Sequence, residues 1–254
     1  MEAVSATHLI ATALVFVVAL VFSMLGLGGA MLYVPIFKWL ELPLKTVAIP
    51  LGLLLNGATS LSAFLRYWRE GLVDFRGGLP AAISAVIAAP LGAWCMAYVP
   101  RDALLLLFAV VTALAGAYSF MAGAQEAAEP PSRQRRLLIG LALGSGEGFV
   151  GGLLGVGGGF IVAPVLMALG FPTKRAVATT SFIVTFASIS GFAAHAAAGR
   201  LDATLTVLTL MAAVAGSQIG AWFMASRAKP AWIKRLYGGL LLAVAAKLSW
   251  DALQ

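Results

Sequence analysis

The chain has 254 residues, of which 61% are hydrophobic and 11% charged, and its formal net charge is +7. A soluble domain is about 45–50% apolar and about 25% charged, so this composition excludes a water-soluble globular protein. One cysteine, Cys95, excludes an internal disulfide and a cysteine-based metal cluster.

Apolar segments run over 8–24, 30–40, 47–65, 77–98 and 103–122, then over 137–154, 159–169, 176–198, 203–225 and 235–250. Segment 8–24 lacks a basic flank and is followed by further spans, so it does not read as a cleaved signal peptide. Segments of about 20 residues cross a bilayer core as helix. Segments 30–40 and 159–169 are too short and read as half-helices. Between the two sets lies QEAAEPPSRQRR, where Pro130 and Pro131 stop any helix. The class is therefore an all-α polytopic membrane protein. Its basic residues sit in short loops, which points to anionic lipid and not to nucleic acid.

The two sets repeat one another. Gly26-Leu27-Gly28-Gly29 matches Gly155-Val156-Gly157-Gly158 at an offset of 129, as do Pro35 with Pro164, Pro43 with Pro172 and Lys45 with Lys174. One residue then drops out. At an offset of 128, Gly71 and Asp74 match Gly199 and Asp202, and LGAWCMA from Leu91 matches IGAWFMA from Ile219. The expected organisation is a first repeat over 1–124, a charged cytoplasmic linker over 125–136 and a second repeat over 137–254. A duplicated membrane protein reads as a transporter with a site between its repeats. A duplicated scaffold without flux is the plainer alternative.

Basic residues orient the repeats. If each glycine break lies within one tilted span, the repeats are parallel and Lys and Arg divide eight to nine between the sides. If 8–24 with 30–40, and 137–154 with 159–169, are hairpins returning to their starting side, the division becomes twelve to five. The second arrangement predicts two inverted repeats, each a glycine-broken helical hairpin plus three spanning helices. Both termini are then expected outside the cytoplasm. The hairpin arms look short for full crossings.

Glycine permits such a turn and lets the backbone approach a ligand. The half-helices beginning at Gly28, Gly29 and Ala30 and at Gly157, Gly158 and Gly159 present free N–H groups, which favour an anion. Close helix packing through small residues is the competing reading. The repeated runs GLGGAMLYVP (Gly26 to Pro35) and GVGGGFIVAP (Gly155 to Pro164) resemble the sulfite exporter TauE/SafE family, and the likeness extends over nearly the whole chain. The resemblance implies a transporter exporting sulfite, sulfoacetate or a related organosulfur anion.

Polar residues inside spans are costly and often functional. Asn56, Thr59, Ser60 and Ser62 occur in one stretch, and Thr179, Thr180, Ser181, Thr185, Ser188 and Ser190 in its repeat partner, with Asn56 aligned to Thr185. Hydroxyl and amide groups there can bind a sulfonate or sulfite oxygen. A bond to the helix's own backbone is the ordinary fate of a single Ser or Thr. Gln218 lies just before the repeated Gly-Ala-Trp and is a further candidate lining residue.

Glu147 falls in an apolar segment, and its partner by offset is Val18. A carboxyl group there must be paired, hydrated or protonated, which suits proton coupling. A structural bond to a neighbouring helix is the alternative. His195 ends a span, aligns with Arg66, and is a second titratable candidate. Asp74 and Asp202 read as N-caps, and Trp94 and Trp222 as interfacial belt residues.

The chain lacks a Walker A sequence and a GxGxxG strand–helix unit, and has two histidines. No enzyme activity, cofactor or metal is expected. The expected partners are a small anion and membrane lipid, with homo-oligomerisation left open. The expected function is export of the anion by alternating access. The rivals are an importer or channel, a proton- or cation-coupled carrier using Glu147, and a non-transporting assembly protein.

Overall fold

The computed structural model describes residues 5–121, 133–196 and 201–252. Among them the secondary structure is helical throughout, with no strand. The first half contains α1 (Ala6–Leu25), α2 (Ala30–Trp39), α3 (Ile49–Arg69), α4 (Phe75–Cys95) and α5 (Arg101–Met121). The second contains α6 (Arg133–Leu154), α7 (Gly159–Ala168), α8 (Thr173–Ala196), α9 (Ala203–Ser226) and α10 (Pro230–Ala252). Most of the expected linker, and the matched Gly199, lie outside the described residues. Residues 133–136, expected in the linker, open α6 instead, since Gln and Arg are good helix formers.

Local chemistry sets the helix starts. Ser5 forms a capping box with His8 ahead of α1. Asp74 accepts the Arg76 and Gly77 N–H groups at 3.1 and 3.3 Å, and Asp202 accepts Leu205 N–H at 2.5 Å. Both aspartates are thus N-caps, as expected. Trp94 and Trp222 are exposed on the outside of the bundle.

Six described helices are long and apolar enough to cross a membrane, including α1 and most of α6. The expectation of short first arms is therefore corrected. The Ser5 cap extends α1 to 20 residues, and the polar start of α6 brings it to 22. The second arms, α2 and α7, are short at 10 residues each.

Glycines set the packing directions. Gly144, Gly148 and Gly152 of α6 lie against the backbone of Ala81, Ala85 and Ala89 of α4, so these helices run parallel. Gly216 and Gly220 of α9 lie likewise against Phe16 and Leu20 of α1. Such small-residue contacts bring backbones close without large side chains between them. By contrast, α3 and α8 run antiparallel: Leu53 meets Gly191, Gly57 meets Ile189, and Phe64 stacks near Phe182. These two helices are the centre of the bundle. Their apolar windows are 78% and 72% buried, against 39–44% for the other four spans.

The missing residue of the second half has a structural location. Gly26 abuts Val177, while Gly155 abuts Ile49. The glycines differ by 129, but Ile49 and Val177 differ by 128, so the shift precedes Ile49. In the first half, Leu44–Ala48 forms a π turn, with Ala48 N–H bonded to Pro43 C=O five residues back. At the matching place in the second half, Ala176 N–H bonds Pro172 C=O four residues back. A π turn is how a helix absorbs one extra residue. Asn56 therefore corresponds to Val184 and not to Thr185, and His195 to Tyr67 and not to Arg66. The contacts agree: Tyr67 donates to Ser23 C=O at 2.6 Å, and His195 bonds the backbone of Gly152, the counterpart of Ser23.

Candidate functional site

The two glycine breaks meet at the middle of α3 and α8. α2 docks back along the first part of α3, with Ala30 at Asn56 and Val34 against Gly52. Ala30 N–H, the first amide of α2, donates to Asn56 Oδ1 at 2.7 Å. The other end of the same amide, Nδ2, donates to Ser188 Oγ at 2.6 Å. Asn56 thus links α2, α3 and α8 with one side chain.

Both breaks press on that amide. Gly28 has φ +83° and Gly157 has φ +66°, a region that L side chains rarely adopt. A Cβ at Gly28 would strike Asn56 and Ser60, and one at Gly157 would strike Asn56 Nδ2 and crowd Ser188 Oγ. Gly159 lies beside the Gly26 and Leu27 carbonyls, so the breaks also touch each other. The positive φ and the close approach together require glycine at positions 28 and 157.

Around this junction the groups are neutral and polar. Thr59 Oγ1 and Tyr33 OH share a hydrogen bond of 2.9 Å, and Tyr33 OH also reaches Gly28 C=O at 3.5 Å. Ser60 Oγ is buried without a hydrogen-bond partner. Asn56, Thr59, Ser60 and Ser188 are all at most 2% exposed. Two short helices therefore begin here, beside an amide and a cluster of hydroxyls. Helix N-termini and neutral donors can hold an anion without a buried fixed cation.

The other candidate residues divide clearly. Thr180, Ser181 and Thr185 donate to the carbonyls of Ala176, Val177 and Ser181, each four residues back in α8. Their hydroxyls serve their own helix. Gln218 donates at 2.8 Å to both the carbonyl and the hydroxyl of Ser62, tying α9 to α3. Gly158 meets the backbone and Cγ of Glu147, whose two carboxyl oxygens are buried without a hydrogen-bond partner. His195 is half-buried at the end of α8, and its Nε2 has no hydrogen-bond partner. Gly29 is the N-cap of α2 and packs on the Tyr33 ring.

Tyr33 was not among the candidates. The available signal was a single phenol in a short apolar arm, four residues after Gly29. Among the described residues, no group of His, Cys, Asp and Glu is placed to hold a metal ion.

The model of the family described as Sulfite exporter TauE/SafE matches residues 11–248. The chain belongs to that family. It is similar to the probable membrane transporter protein YunE of Bacillus subtilis (strain 168), with 29% identity over 224 residues, covering 78% of this chain and 82% of YunE. It is also similar to the probable membrane transporter protein y4hK of Sinorhizobium fredii, with 27% identity over 92% of this chain and 95% of y4hK. A local match at 45% identity over 53 residues links it to Sulfite exporter TauE/SafE family protein 3 of Arabidopsis thaliana, covering 21% of this chain and 11% of that protein. No solved structure matches it. Family membership, the relatives and the six spans make this chain a multi-pass membrane transporter of the TauE/SafE type.

Proposed function

We propose that this TauE/SafE chain is a secondary transporter that exports a small sulfur oxyanion, of the sulfite, sulfoacetate or organosulfonate class. The anion binds where α2 and α7 begin, between two inverted repeats that move against each other in alternating access. The observation that carries this reading is Asn56, which bonds the first amide of α2 and Ser188 of α8 while both glycine breaks press on it. A sulfur oxyanion accepts hydrogen bonds and donates few. Ala30 N–H, Asn56 Nδ2 and the hydroxyls of Tyr33, Thr59, Ser60 and Ser188 offer donors of the required kind.

The antiparallel run of α3 and α8 supports inversion. A two-fold relation that reverses a helix has its axis in the membrane plane. The twelve-to-five division of basic residues supports a bacterial inner-membrane orientation with periplasmic termini. An inside-negative potential aids anion efflux by about 2.3 kcal/mol per charge at 100 mV.

The test is counterflow of labelled sulfite and sulfoacetate in proteoliposomes, with wild type beside Ser60→Ala. Ser60 makes no hydrogen bond in this arrangement, so the variant should fold. Counterflow with a raised KM in Ser60→Ala is the expected result. Unchanged kinetics would move the site away from the first break. Absence of counterflow for both anions would sink the substrate class.

A further inference from the structure

Glu147 is fully buried, yet neither carboxyl oxygen has a hydrogen-bond partner. It sits where α6 passes Gly158, the N-cap of α7, and its Cγ is against that glycine. The corresponding residue of the first half is Val18. The site proposed above thus has an acidic group beside one helix N-terminus and an apolar group in the matching place. A structural role needs a partner, and this carboxyl group has none.

We propose that Glu147 is the proton site of the transport cycle, and that its carboxylate and the transported anion compete for the N-terminus of α7. This rests on the reading that the anion binds at the glycine breaks. An unpaired carboxylate in a dry interior is costly, so with the anion at that N-terminus the group enters the closed arrangement as the neutral acid. When the site opens, the O–H bond breaks and the proton passes to water. The carboxylate then turns to the N-terminus of α7. An arriving anion displaces it, and Glu147 takes up a proton again. The loaded carrier crosses with a proton and the empty one returns with the carboxylate at that N-terminus, so proton and anion travel together in the same direction. Each proton cancels one negative charge, so export under these rules is driven by a high internal anion concentration, and the membrane potential acts only on the charge that remains.

Few other groups are placed to share the role. On α4, the residues facing this part of α6 are Ala81, Ser84, Ala85 and Ala89. α7 carries no titratable side chain. From α8, His195 reaches α6 at Gly152, five residues beyond Glu147. Arg136, on α6 itself, lies eleven residues before it and pairs with Asp74.

The experiment loads proteoliposomes with wild type, Glu147→Gln, Glu147→Val and His195→Gln. Glu147→Val copies the first-half residue and keeps the test open if the amide variant does not fold. Labelled sulfoacetate is followed in counterflow, which needs no net proton movement, and in uptake driven by an acidic exterior. Wild type and His195→Gln should show both activities. The Glu147 variants should keep counterflow and lose the response to the pH gradient. Glu147 variants that still respond, or that fold but lose counterflow as well, would overturn the proposal. So would loss of the response in His195→Gln alone. Wild type with counterflow but no pH response sinks the coupling alone, whereas wild type without any counterflow sinks the transport reading and the coupling together.

Discussion

Asn56 and Ser188 are 132 residues apart in the chain and 2.6 Å apart in space. Their bond joins the two halves of the molecule at the point where the glycine breaks of both halves meet. Replacing Asn56 by Leu leaves Ala30 N–H buried without its acceptor. The expected loss is about 1–3 kcal/mol of stability, together with loss of anion counterflow. Thermal unfolding in detergent and counterflow on the surviving fold measure the two separately. A Leu variant of normal stability and activity would remove Asn56 from both roles.

Gly28 and Gly71 both have positive φ, but only Gly28 is crowded. Gly71→Ala should cost about 1–2 kcal/mol, the backbone term alone. Gly28→Ala adds a collision with Asn56 and Ser60, worth about 1–3 kcal/mol more. Melting temperatures of the pair give the difference directly. Equal losses would show that the junction can relax around a methyl group.

The π turn at Leu44–Ala48 holds one residue that the second half lacks. Deleting Thr46 should convert it to an ordinary helical turn and leave α3 in place. Deleting Gly57 instead turns everything after Asn56 by one residue against α8. The first deletion should remain monodisperse by size-exclusion chromatography, and the second should aggregate. Aggregation of both would mean that the extra residue is needed for folding itself.

Inversion can be read by labelling. Cys95 is the single cysteine, so a Cys95→Ser background accepts new cysteines at Glu70 and Arg227. Inverted repeats place both turns on the cytoplasmic side. An impermeant maleimide should label neither in intact cells and both after permeabilisation. Labelling of one but not the other in intact cells would indicate parallel repeats.

Gln218 gives the contrasting case. Its two bonds to Ser62 join α9 to α3 away from the glycine junction. Gln218→Ala should cost about 1 kcal/mol of stability and leave the KM for sulfoacetate unchanged. A raised KM would return Gln218 to the transport path.

The amino-acid sequence by itself determined the membrane class, the duplication, the two glycine breaks and the aspartate caps. Each of these is written locally, in hydropathy, in glycine and proline spacing, or in a residue just before a helix. Only the tertiary structure decided which polar residues share one place. A hydroxyl in a helix meets its own carbonyl four residues back by default, as Thr180, Ser181 and Thr185 do. Nothing in their spacing separates them from Ser60 and Ser188, which packing brings to the junction. The same holds for the one-residue shift. Among apolar residues a gap has no fixed address in the sequence, and the contacts of Gly26 with Val177 and Gly155 with Ile49 supplied it. Tyr33 and Glu147 likewise take their meaning from what lies opposite, because burial and the lack of a partner belong to the packed chain and not to any segment of it.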